Sequence, residues 1–154
     1  MHDLIGDIHG HADALQRLLR QLGYSRHKGV YKHSERQAIF LGDFVDRGPQ
    51  IRETLELVRP MVDAGSALAV MGNHELNALA FHTRDPDKPG CHLRPHNEKN
   101  SNQHAETMRQ VPAPLAFECR SLFPLIPALT PQQVCQSGGR ASFFPPPPAA
   151  RSSG

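Results

Sequence analysis

The chain has 154 residues and a formal net charge of +2, with Lys, Arg, Asp and Glu scattered rather than massed, which argues against a nucleic-acid footprint or a polybasic membrane contact. The length suits one domain, but 38% hydrophobic content, 14 Pro, 12 Gly and no Trp mean that part of the chain is poorly equipped to pack. Cys91, Cys119 and Cys135 form no CxxC pair, so neither a disulfide framework nor a zinc ribbon is indicated.

At the N-terminus, Asp3 to Ile5 form a short strand-like run that ends in a glycine turn at Gly6. It is too short for a signal peptide, and no stretch approaches a membrane span, so the chain reads as cytoplasmic. Leu15, Leu18, Leu19 and Leu22 then recur at helical spacing until Gly23 supplies a stop. A polar, hairpin-like excursion from Tyr24 to Arg36 leads to a buried-strand signature over Ala38 to Leu41, which stops at Gly42 and Asp43. Ile51, Leu55, Val58 and Val62 carry the next helical stripe, with Pro60 expected to kink or end it, because proline lacks an amide hydrogen and clashes with the preceding turn. Ala67 to Met71 form a third apolar strand before Gly72, and Leu76 to Phe81 continue as a short helix.

The first eighty or so residues thus read as βαβαβ, an arrangement that favours a parallel sheet and gathers the loops after its strands at one edge. Beyond His82, a turn-rich loop from Asp85 to Gly90 precedes a polar, helix-compatible stretch from Asn97 to Met108. After Val111 prolines dominate, including the run Pro145 to Pro148, so the ordered domain is expected to span 1–111 and residues 112–154 to form a Pro-rich, disordered or non-native tail.

Three strings recur at the gathered edge: GDIHG at Gly6 to Gly10, GDFVDRG at Gly42 to Gly48, and GNHE at Gly72 to Glu75. Asp7 and His9 lie one residue apart in a glycine-flanked turn, so a carboxylate and an imidazole can reach one cation; the alternative is a helix-capping Asp beside a turn histidine. Asp43 and Asp46 place two carboxylates close together, a costly arrangement unless cations neutralise them, with Arg47 able to grip phosphate oxygens; the alternative is a surface turn with an ion pair. Asn73 offers a neutral oxygen ligand, and His74 beside a carboxylate such as Asp46 can serve as general acid; the alternative is a helix cap and an exposed first-turn histidine.

Taken in this order, GDxHG, GDxxDRG and GNHE make residues 1 to about 110 resemble the calcineurin-like metallophosphoesterases, and within them the phosphoprotein phosphatases and symmetrical dinucleoside tetraphosphatases of bacteria. The resemblance implies an α/β fold, the βαβαβ first half of that family's sandwich. It implies that Asp7, His9 and Asp43 bind a first divalent metal, that Asp43 and Asn73 begin a second site, and that Arg47 holds phosphate. His74, oriented by Asp46, would protonate the leaving oxygen while a hydroxide bridging two metals attacks phosphorus in line. The cofactors implied are Mn, Fe or Zn, with Mn favoured, and the substrate a phosphoprotein, a small phosphoester or a dinucleoside polyphosphate.

The family's second half carries two more metal-binding histidines and a second phosphate-binding arginine, and no counterpart stands after Val111, where no histidine occurs. A second metal site short of ligands is therefore expected, as is a truncated or frame-shifted chain that is catalytically impaired. Half of a sandwich would also expose an apolar sheet face and an unpaired edge. His92, His96 and His104 read as polar loop histidines, because Cys91 with His92 supplies at most half of a zinc site.

Overall fold

A computed structural model of the chain describes residues 1–111. Three strands, β1 (His2–Ile5), β4 (Gln37–Phe40) and β5 (Ala67–Ala69), form a parallel sheet in the order β1-β4-β5. Its register pairs Ile5 with Phe40 and Phe40 with Ala69, so the three strands end together and their following loops meet. Between β1 and β4 come α1 (Ala12–Gln21) and an antiparallel hairpin of β2 (Ser25–His27) and β3 (Val30–Lys32). Helix α2 (Ile51–Asp63) joins β4 to β5, α3 (Asn73–His82) follows β5, and α4 (Glu98–Gln110) comes last.

Alternation along the strands decides where the core sits. Ile5, Ala38, Phe40, Ala67 and Ala69 are buried with Leu15 and Leu19 of α1 and Ile51, Leu55, Val58 and Met61 of α2. Leu4 and two residues just past strand ends, Leu41 and Val70, are 68%, 48% and 40% exposed.

Two helix boundaries differ from expectation. Helix α2 passes through Pro60 to Asp63. The missing amide would have bonded to the carbonyl of Glu56, and the helix continues for less than one turn beyond Pro60. Helix α3 starts at Asn73 rather than Leu76, because Asp43 Oδ1 accepts the His74 amide at 3.0 Å and Glu75 Oε2 accepts that of Gly72 at 3.0 Å. The polar stretch near Asn97 is helical, with the Asn97 side chain accepting the Asn100 amide at 2.9 Å as its cap. The expected tail, residues 112–154, lies outside the described residues.

Candidate active site

The three glycine-led loops converge at the carboxyl ends of β1, β4 and β5. Two close approaches lock them together. The His9 amide donates to the Asp43 carbonyl at 2.7 Å and the Gly10 amide to that of Phe44 at 2.8 Å, joining the first loop to the second. Glycine is required at the contact points: a Cβ on Gly48 would run into the His9 and Gly10 carbonyls, and one on Gly42, already at φ +87°, would strike the Gly72 backbone.

Glu75 is the hub of the second and third loops. Its Oε2 accepts the amides of Asp43 at 2.7 Å and Gly72 at 3.0 Å, and its Oε1 those of Phe44 at 2.8 Å and Val45 at 3.2 Å. Burial raises its pKa and the four amides work against that, leaving it above the ordinary value. The backbone around this hub is strained. Among the described residues six non-glycine residues have positive φ, and five belong to the strings: Asp7 (51°), His9 (44°), Asp43 (55°), Asp46 (66°) and Arg47 (69°). Such conformations cost about 1–3 kcal/mol each and persist only where the surroundings over-determine them.

The side chains held this way face one another. Ligand atoms of His9, Asp43 and His74 all lie within 4.8 Å of each other. The Nδ1–H of His9 donates to the Val45 carbonyl at 3.1 Å, which leaves Nε2 with the lone pair, 3.7 Å from the exposed Asp7 carboxylate. A backbone carbonyl fixing the tautomer is how histidine is prepared for a cation, so His9 Nε2 and the Asp43 carboxylate offer donors that fit a divalent metal. Asn73 is the exposed first residue of α3, directly before His74. Asp46 and His74 are buried and paired: His74 Nδ1–H donates to Asp46 Oδ2 at 2.8 Å, and Arg47 Nη2 approaches His74 Nε2 at 3.4 Å.

Residues 3–145 of the chain match the model of one family, calcineurin-like phosphoesterases. The chain belongs to that family. Among curated members, an asymmetrical bis(5'-nucleosyl)-tetraphosphatase PrpE of Oceanobacillus iheyensis is 44% identical over 73 residues, 47% of this chain and 29% of its own length. A symmetrical bis(5'-nucleosyl)-tetraphosphatase of Psychromonas ingrahamii is 40% identical over 79 residues, 51% of this chain and 25% of its own. The chain therefore matches about a quarter to a third of the length of these calcineurin-like relatives. A solved cold-active protein-tyrosine phosphatase of a psychrophilic Shewanella species aligns over 79% of this chain and 36% of its own, at a TM-score of 0.49 and 20% identity.

For a calcineurin-like phosphoesterase, the sequence left three residues without a role that the structure places against the site. Glu75 is the first, and its position three residues after the glycine cap was a capping signal. The others are His104 and Thr107, both buried on α4. His104 is no loop histidine: helical spacing of three carries it and Thr107 onto one face, where both bond to Asp46. His92 and His96 stack ring on ring at 4.1 Å, His96 stacks on Phe81 at 3.9 Å, and His96 Nε2–H donates to the Phe81 carbonyl at 2.7 Å. Among the described residues, these histidines and the exposed Cys91 stand apart from the convergent group of His9, Asp43 and His74.

Proposed function

We propose that this chain supplies a metal-dependent phosphoesterase site that hydrolyses phosphomonoesters, on proteins or small molecules, or dinucleoside polyphosphates. The observation that carries the reading is the convergence of His9, Asp43 and His74 beside the buried Asp46–His74 pair and Arg47. Asp7, His9 and Asp43 would hold a first divalent cation, and Asp43 with Asn73 would begin a second site, Mn being favoured over Fe or Zn. When bound, such cations supply Lewis acidity and a nucleophile at neutral pH. Arg47 carries fixed positive charge for phosphate oxygens. Asp46 holds the His74 ring through Nδ1, which directs Nε2 toward the space beside Arg47, where it can carry and deliver a proton to a leaving oxygen. The names of the relatives support a dinucleoside polyphosphate as one substrate to try, and no helix among the described residues is long and apolar enough to cross a membrane. We place the activity in the cytoplasm.

The test is release of p-nitrophenol from its phosphate ester, and of nucleotide from diadenosine tetraphosphate, with Mn added. Asp43→Asn and His74→Asn are each expected to lower turnover about 10²–10⁴-fold. Unchanged turnover in both would sink the assignment. Metal content measured alongside decides a second reading: about one ion per chain with no hydrolysis would mark a metal-binding remnant.

A further inference from the structure

Helix α4 docks in an unusual way. Its thirteen residues bury only His104 and Thr107, with no apolar residue fully buried, whereas surface helices ordinarily dock through an apolar stripe. Both buried side chains end on Asp46. The Asp46 amide donates to Thr107 Oγ1 at 2.9 Å, and the same hydroxyl donates back to Asp46 Oδ1 at 2.6 Å, a closed ring that fixes peptide and carboxylate together. His104 Nδ1–H donates to the same oxygen at 2.8 Å. His104 is itself held at its other nitrogen, where Nε2 accepts from His82 Nε2–H at 3.2 Å.

We propose that His104 and Thr107 are positioning residues for the acid: by occupying Oδ1 they leave only Oδ2 for His74, and thereby fix the proton of His74 on Nδ1 and its lone pair on Nε2. The proposal rests on the reading of His74 as the group that handles the leaving oxygen. Gln103 Nε2 also lies 3.5 Å from His74 Nδ1, well beyond the 2.8 Å bond to Asp46 that decides the proton on that nitrogen. A carboxylate only accepts, so the His74 nitrogen bonded to it must carry hydrogen. A guanidinium only donates, so the nitrogen facing Arg47 must be bare in the state described. Turning the Asp46 carboxylate out of its present plane would break two bonds to α4 at once, at a residue whose φ of 66° already needs outside support. With both α4 donors gone, the buried carboxylate would keep a single side-chain donor, from His74, and either of its oxygens could face that ring.

Selective ¹⁵N labelling of histidine in the full chain, read by long-range proton–nitrogen correlation at one pH, reports the tautomer of His74 directly. The wild type is expected to show Nδ1 protonated and Nε2 bare. His104→Leu and Thr107→Val should each turn this into a tautomer mixture and lower kcat about 10–100-fold with KM changed by less than about twofold. His104→Asn, whose amide nitrogen stands where Nδ1 stood, and Thr107→Ser, which keeps the hydroxyl, should restore both readouts. Gln110→Ala separates positioning from docking, since it removes acceptors for the Ile51 and Arg52 amides without touching Asp46, and should leave His74 unchanged. A wild-type tautomer in both His104→Leu and Thr107→Val overturns the proposal, as does an equal disturbance by Gln110→Ala. Should His104→Leu fail to fold, Thr107→Val, which alters one hydroxyl, decides alone. Should the wild type hydrolyse nothing, the proposed function falls, and the tautomers still decide the positioning role.

Discussion

Both ends of the β1-β4-β5 sheet hold carboxylates, and they satisfy them by different means. At the amino end Asp3 accepts from the Tyr24 hydroxyl at 3.0 Å and from Arg36 at 3.3 Å, so its charge is cancelled within the chain. At the carboxyl end Asp46 accepts from two imidazoles and a hydroxyl, and Glu75 from four backbone amides, so their charge is solvated by dipoles rather than cancelled. Burial pushes the Asp46 pKa up, but the bonds from His104, Thr107 and His74 outweigh it and hold the group below its ordinary value. The amino end is built to stay closed. The other end keeps negative charge on a strained scaffold, with Asp7 and Asp43 beside it, the charge that the proposed cations would neutralise.

The largest effect should come from breaking the uncancelled end at Glu75. Glu75→Gln keeps the shape but replaces an oxygen that accepts two amides with an amide group that can accept none. Two part-buried donors left without partners cost at most about 1–3 kcal/mol each, so urea unfolding should show a loss of up to about 2–6 kcal/mol. A loss as small as that of an exposed side chain would mean that the hub does not carry the loops. Cation binding sharpens the same end from the other side. A ligand that binds only the folded chain at about a hundred times its Kd adds about 2.7 kcal/mol, so Mn should raise the Tm of the wild type, while Asp43→Asn should abolish that rise and Asp3→Asn should not. Equal Mn shifts in both variants would place the cation elsewhere.

These two ends were not equally legible in the sequence. The strands, the hairpin and the glycine-led loops follow from apolar runs and punctuation that act locally, and the structure has them nearly where the pattern sets them. Asp46 beside His74 was legible because each lies inside a short string. His104 and Thr107 were not, because α4 has almost no apolar period to announce a buried face, and its two inward residues look like any polar pair until the fold brings them 58 and 61 positions back to Asp46. Pro60 was legible only in part: proline chemistry allows a kink or an end, and the helix runs on to Asp63. Asp3 with Tyr24 and Arg36 is likewise non-local, its partners lying 21 and 33 positions away.

The smallest effect expected is at the closed end, and pH exposes it. Burial first, then the hydrogen bond and charge of Asp3, push the Tyr24 hydroxyl from 10.0 up to about 12, with Arg36 opposing. The folded chain thus holds this proton more tightly than the unfolded chain does. The resulting stabilisation is fully present below pH 10.0, shrinks as pH rises toward about 12, and is gone above that. Tyr24→Phe should cost only about 1 kcal/mol at neutral pH, the worth of one hydrogen bond, and should flatten the alkaline decline in urea stability. Asp3→Asn should lower the pH at which tyrosinate absorbance appears, since it removes the charge that resists ionisation. Glu75→Gln, at the far end of the sheet, should leave the alkaline slope as it was. Parallel declines in wild type and Tyr24→Phe would show that the closed end is not held by this proton, and the two ends of the sheet would then differ less than their hydrogen bonds indicate.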